Sequence, residues 1–138
     1  MIEENLHEVL RSIEESRAKR TIADAKEPVR LVAVTKNHGV AEMREAIAHG
    51  VTDIGENRIQ EAREKFETLE RTAVWHLIGH LQKNKAKYAV KLFDLIHSVD
   101  TLELAEALDK EAGKIGKRQD VLVQVNLAKE ASKSGIYE

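Results

Sequence analysis

Aliphatic runs of strand length begin near residues 29, 51, 74, 95 and 121, and each gap between them carries helical periodicity. The interval of 21 to 26 residues is filled by one strand and one covering helix. Five such units in succession dictate an α/β fold around a parallel sheet. The first run, residues 29–34, follows the only proline, Pro28, and is almost continuously aliphatic, which predicts a strand buried on both faces. Strands are likewise expected over 51–54, 74–78, 95–99 and 121–127. Ahead of them, Ile2, Leu6, Val9, Leu10 and Ile13 form the stripe of an amphipathic helix. The intervening helices are marked by Val40, Met43, Ala46 and Ile47 before Gly50, by Ile59, Ala62, Phe66 and Leu69, and by residues 84–91. A last helix carries Leu104, Ala105 and Leu108, with Asp100 as its expected N-cap, Glu103 as reciprocal partner, and a stop near Gly113 and Gly116.

Two architectures accommodate this pattern: an open doubly wound sheet, or part of a parallel (β/α)₈ barrel of the TIM type. A complete barrel takes about 250 residues, which favours the open sheet. Polar punctuation favours the barrel. Thr35-Lys36, Gly55-Glu56-Asn57, Gly79-His80, Ser98 to Asp100 and Asn126 place hydrogen-bonding or reactive groups at the C-terminal end of every strand. That is how a barrel mouth is furnished, whereas an open sheet concentrates its site at one switch point. Residues 1–138 are read as a single domain in either case.

Leu, Ile, Val and Phe supply 37 of the 138 residues, enough for a core. The formal charge is −2, with no long block of one sign, which argues against nucleic acid or an anionic membrane as partner. Absence of cysteine removes disulfides, thiolate catalysis and cysteine-bound metal, leaving lysine, hydroxyl, histidine or carboxylate chemistry. The acidic start and the lack of an apolar run of about 18 residues lead to the expectation of a cytoplasmic protein.

Lys36 stands out because it directly follows an apolar strand, where desolvation lowers an amine's pKa and exposes a nucleophile able to form a Schiff base. Water exposure at the strand end is the competing reading. His76 and His80 fall four apart on one strand face, a spacing that packing or hydrogen bonding explains better than a metal site. Lys83, Lys87 and Lys91 form a basic stripe, either a solvated face or a surface for an anionic partner. Gly113-Lys114-Ile115-Gly116-Lys117 reads as a turn, and neither Gly-x-Gly-x-x-Gly nor Gly-x-Ser-x-Gly occurs.

Taken in order, Ala33-Val34-Thr35-Lys36, Ile54-Gly55-Glu56-Asn57-Arg58-Ile59-Gln60-Glu61, Trp75-His76-Leu77-Ile78-Gly79-His80-Leu81-Gln82-Lys83-Asn84-Lys85, His97-Ser98-Val99-Asp100, Val123-Gln124-Val125-Asn126 and Ser132-Lys133-Ser134-Gly135 closely resemble the pyridoxal phosphate homeostasis protein family. The resemblance runs from about residue 29 to the last residues. It implies a single-domain barrel similar to the N-terminal domain of alanine racemase, with pyridoxal 5′-phosphate held as a Schiff base on Lys36. It also implies that Asn57, His80, Asn126 and Lys133 are polar positions around the same mouth, and that the role is binding or delivering the vitamin B6 cofactor, with no catalytic residue and no enzymatic turnover. The family's later strands, with the segments that cradle the phosphate, have no counterpart here. The expectation is therefore an N-terminal helix and about five strand–helix units of an incomplete barrel, weaker cofactor affinity, and either association of copies through open barrel edges or a longer polypeptide whose remainder completes the barrel. Alternative functions are a pyridoxal-phosphate-dependent racemase-like enzyme and a barrel fragment that binds no cofactor. Racemisation needs acid–base groups on both faces of the substrate plane, and Tyr88 and Tyr137 match no motif that would supply one.

Overall fold

The computed structural model describes residues 1–21, 27–127 and 135–136. Helix α1 (Ile2–Ala18) is followed by alternating strands and helices: β1 (Ala33–Val34), α2 (Val40–Ala48), β2 (Asp53–Glu56), α3 (Ile59–Leu69) and β3 (Val74–Leu77). A 3₁₀ turn, Lys83–Lys85, then leads into α4 (Ala86–Leu92), β4 (Leu95–Val99), α5 (Leu102–Lys114) and β5 (Asp120–Val123). The five strands are all parallel and lie in the order of the chain, β1-β2-β3-β4-β5. A doubly wound sheet reverses strand order at its switch point. No reversal occurs among these strands, so the progression is that of a barrel wall rather than of the open sheet.

Register separates the two faces of the wall. Ile54 pairs with Trp75 and Leu77 with Ile96, and all four are fully buried. This face meets the helices: the Trp75 ring packs edge-on against Phe66 of α3, centroids 5.3 Å apart. Met43, Ala62, Ala89, Val90, Phe93, Leu104 and Leu108 complete the layer. The other face carries Asp53, Gly55, His76 and His97, in the alternation that a strand imposes.

Several local expectations are corrected. The strand expected over 29–34 is only two residues long, and Val29 and Val34 are about half exposed rather than buried on both faces, because β1 is an edge whose second neighbour is absent among the described residues. For the same reason every residue of β5 is exposed. The second strand starts at Asp53 rather than at 51, since the chain leaving Gly50 (φ +110°) is still turning at Val51, whose N–H donates to Ala46 O. Thr101, not Asp100, caps α5: its Oγ accepts from the Leu104 N–H at 3.1 Å, the bond expected of a cap three residues ahead. The Gly113 to Lys117 stretch does turn, with Gly116 at φ +64°. It serves the helix beside it, since Lys117 Nζ donates to Phe93 O at 2.7 Å and to Val90 O, placing a cation on the C-terminal carbonyls of α4.

Candidate functional site

Parallel pairing brings the C-terminal ends of all five strands to one edge of the wall, and with them the polar residues singled out in the sequence. Lys36 follows β1 by two residues and is exposed. The desolvation expected for its amine is therefore not supplied by the described residues. Its backbone, by contrast, is held firmly. Lys65 Nζ, buried on α3, donates to Thr35 O at 2.8 Å, immediately before Lys36. Glu61, one turn earlier on the same helix, accepts the N–H of Asn37 at 2.8 Å, immediately after it. Asn37 sits at φ +64°, the left-handed region that asparagine tolerates better than most residues.

This clamp is anchored from below. Lys65 Nζ lies 2.6 Å from Glu56 Oε1 and 2.9 Å from Glu61 Oε1, and Thr35 Oγ1 donates to Glu56 Oε2 at 2.8 Å. Glu56 is only 1% exposed, so these partners rather than water surround its carboxyl group. Bonds from Lys65 and from the Asn37 N–H hold the Glu61 carboxyl below the usual carboxylate range. Glu61 and Lys65 escaped sequence reasoning as site residues, although the signal was present: Lys65 falls on the stripe that Ala62 and Leu69 bury, where a lysine needs a partner.

Asn57 follows β2 and is half-buried. Gly79 makes room for it, because a Cβ at that position would lie 2.3 Å from the Asn57 carbonyl oxygen. His80 and Asn57 line one cleft. His80 is exposed, with Nδ1 3.7 Å from Asp100 Oδ2. Asn126, beyond β5, is buried, and its N–H donates to Ile136 O at 2.7 Å, while Gly135 (φ +135°) passes too close to its backbone for any side chain. Lys133 lies outside the described residues.

His76 and His80 do not act together. His76 is buried on the inner face, with Nε2 2.7 Å from Asp53 Oδ2 and Nδ1 2.8 Å from His97 Nε2. A carboxylate only accepts, so His76 donates from Nε2 to Asp53, and its Nδ1 shares one hydrogen bond with His97 Nε2. Burial would push the Asp53 carboxyl up, but bonds from His76 and Thr52 and the charge of Arg30, 3.7 Å away, hold it below its ordinary value. Burial and neighbouring His76 both hold His97 below the usual imidazole range. The chain Arg30, Asp53, His76, His97 thus satisfies an interior layer across four successive units. No group of three or more His, Cys, Asp or Glu among the described residues has the arrangement of a metal site. Among the described residues no helix is long and apolar enough to cross a membrane.

Residues 13–137 match the family described as alanine racemase, N-terminal domain. The chain is 44% identical over 116 residues to the pyridoxal phosphate homeostasis protein of Synechocystis sp., covering 83% of this chain and 53% of that protein. It is 35% identical to the protein of the same name from Pasteurella multocida, over 98% of this chain and 58% of the relative. The chain therefore spans somewhat over half the length of these relatives. Among solved structures, PipY of Synechococcus elongatus PCC7942 with PLP bound superposes with a TM-score of 0.79 at 42% identity, over 99% of this chain and 58% of PipY. Alanine racemase of Clostridium difficile 630 shares the fold, with a TM-score of 0.65 at 18% identity, over 94% of this chain and 33% of the enzyme.

Proposed function

The chain belongs to the alanine racemase N-terminal-domain family, and on that premise we propose that it is the N-terminal portion, residues 1–138, of a (β/α)₈ barrel that binds pyridoxal 5′-phosphate for vitamin B6 homeostasis without turning over a substrate. The observation that carries this reading is the Lys36 amine, set at the mouth edge on a backbone pinned on both sides by Lys65 and Glu61. When bound, the cofactor supplies an aldehyde carbon that a primary amine joins as a Schiff base. Lys36 is the residue assigned that bond. Asn57, His80, Asn126 and Lys133 are assigned to the polar surround, with Glu61 and Lys65 keeping the strand end in place. The cytoplasm is the proposed compartment.

A racemase-like activity is the weaker reading. Tyr88, which could serve as a second acid–base group, is instead stacked against the Arg63 guanidinium, 4.7 Å from its ring centroid. Equilibrium dialysis against pyridoxal 5′-phosphate tests the proposal. The chain should retain cofactor with the absorbance of a lysine adduct, and Lys36→Ala should lose that band. Equal retention by Lys36→Ala would remove the assignment, and no retention by either would favour a fragment that binds no cofactor.

A further inference from the structure

On the outer surface, α4 and the Lys83–Lys85 turn ahead of it run beside α5, and a groove of about 760 Å³ lies open between them. Its two banks carry opposite charge. Lys83 and Lys87 line the α4 bank and Glu103 and Glu106 the α5 bank, and all four are exposed. Farther along α5, Lys110 and Glu111 are of opposite sign and leave the surplus of that bank to Glu103 and Glu106. The floor holds Ala86 and Ala107, side chains too short to fill the space.

Each of these helices follows a strand of the same parallel sheet, so the two run in the same direction. In each bank the first charge opens the element and the second follows about one helical turn later. Among the described residues no ion pair within 4.0 Å joins the banks, so both rows still face solvent.

Such a surface selects its occupant by sign. A polyanion, whether nucleic acid or an anionic membrane, meets the carboxylates, and a polycation meets the lysines. A fitting partner presents both signs as parallel rows at the same spacing, and the same groove on another molecule does so. A two-fold axis along the groove lays α4 of one copy on α5 of the other, and symmetry supplies the reciprocal contact. We propose that this groove is a self-complementary docking surface for a second copy of the chain, with Lys83 and Lys87 of each copy facing Glu103 and Glu106 of the other. Leu102, 70% exposed and one turn ahead of Glu106, adds an apolar contact at the rim. The lysine stripe noted in the sequence thus finds its anionic partner in α5, and Lys91 lies outside the groove. Helices of 7 and 13 residues offer a small patch, so the dimer is reversible and salt-sensitive. The contact is independent of the sheet edges, whose exposed residues are apolar.

Sedimentation velocity over a range of protein concentrations tests this with three chains: the natural one, Lys83→Glu with Lys87→Glu, and Glu103→Lys with Glu106→Lys. The natural chain should self-associate, and raising salt from about 0.05 to about 0.5 M should weaken that association. Each exchanged chain opposes like charges at both contacts and should associate about tenfold more weakly or less tightly still. Their equimolar mixture pairs opposite charges again and should recover the natural affinity, as should one chain bearing all four substitutions. Circular dichroism checks the fold of each variant, and where a double variant is unfolded, Lys87→Glu and Glu106→Lys take its place. Association as strong in both exchanged chains as in the natural one would put the contact at the sheet edges and overturn the proposal. So would a mixture that fails to recover, or a natural chain that stays monomeric, whether or not it binds heparin or polylysine.

Discussion

Replacing Lys65 with methionine removes one ammonium and three short contacts: 2.6 Å to Glu56, 2.9 Å to Glu61 and 2.8 Å to the carbonyl of Thr35. The side chain is 8% exposed and Glu56 only 1%, so the carboxylate left behind has no access to water and no other cation beside it among the described ion pairs. Breaking a buried pair in this way costs about 3–5 kcal/mol, chiefly the penalty of the orphaned charge. With a urea dependence of about 2 kcal/mol/M, the unfolding midpoint should fall by roughly 2 M. Taking the second charge away as well, in Lys65→Met with Glu56→Gln, should restore at least half of the loss, since two neutral groups of similar size can replace a buried pair at small cost. Urea unfolding followed by far-UV circular dichroism at one fixed protein concentration measures both variants. A loss below 1 kcal/mol for Lys65→Met, or a double variant no better than the single one, would show that the ammonium does not hold the Lys36 backbone as argued.

Acidification offers an independent probe. His97 titrates below its ordinary value when folded, so the unfolded chain binds the proton first, and stability is full above about pH 6.5 and declines as pH falls through the folded value. Asp53, also lowered, keeps its contribution until pH drops below the usual carboxylate range. His97→Asn should therefore flatten the loss of stability between pH 7 and 5 and leave the steeper loss below pH 4; a wild-type chain that gains stability from pH 7 to 5 would contradict this. A prediction about assembly rests on the sheet edges. Val34, Leu122, Val123 and Val125 are 43–59% exposed, forfeiting on the order of 4 kcal/mol of burial, a large share of a small domain's stability. Light scattering should find copies associated through these edges, and a cooperatively melting monomer at low concentration would refute the expectation.

Much of the fold was legible because burial on the helix side of the wall is periodic. Ile59, Ala62, Phe66 and Leu69 mark α3 in the sequence, and the helix spans Ile59–Leu69. Leu95–Val99 likewise coincides with its expected strand. What the sequence obscured lies where another part of the molecule decides. An aliphatic run cannot report whether its second neighbour is present, so 29–34 reads as a central strand although only Ala33–Val34 is paired. Asp100 and Thr101 are both good caps, and only backbone geometry selects the threonine. At the site, the position of Lys36 was readable from strand and motif, whereas its clamp required knowing that Glu61 and Lys65 face back across to β1. Spacing placed His76 and His80 on one strand face, but His80 lies beyond the end of β3, where alternation no longer holds.

The central claim is that Lys36 is the lysine carrying pyridoxal 5′-phosphate, and borohydride reduction of the loaded chain followed by intact mass and peptide mapping tests it most directly. The account predicts one added cofactor per chain, recovered on the peptide containing Lys36 and absent from Lys36→Ala. A label spread over Lys83, Lys87 and other surface lysines, or undiminished in Lys36→Ala, would contradict it.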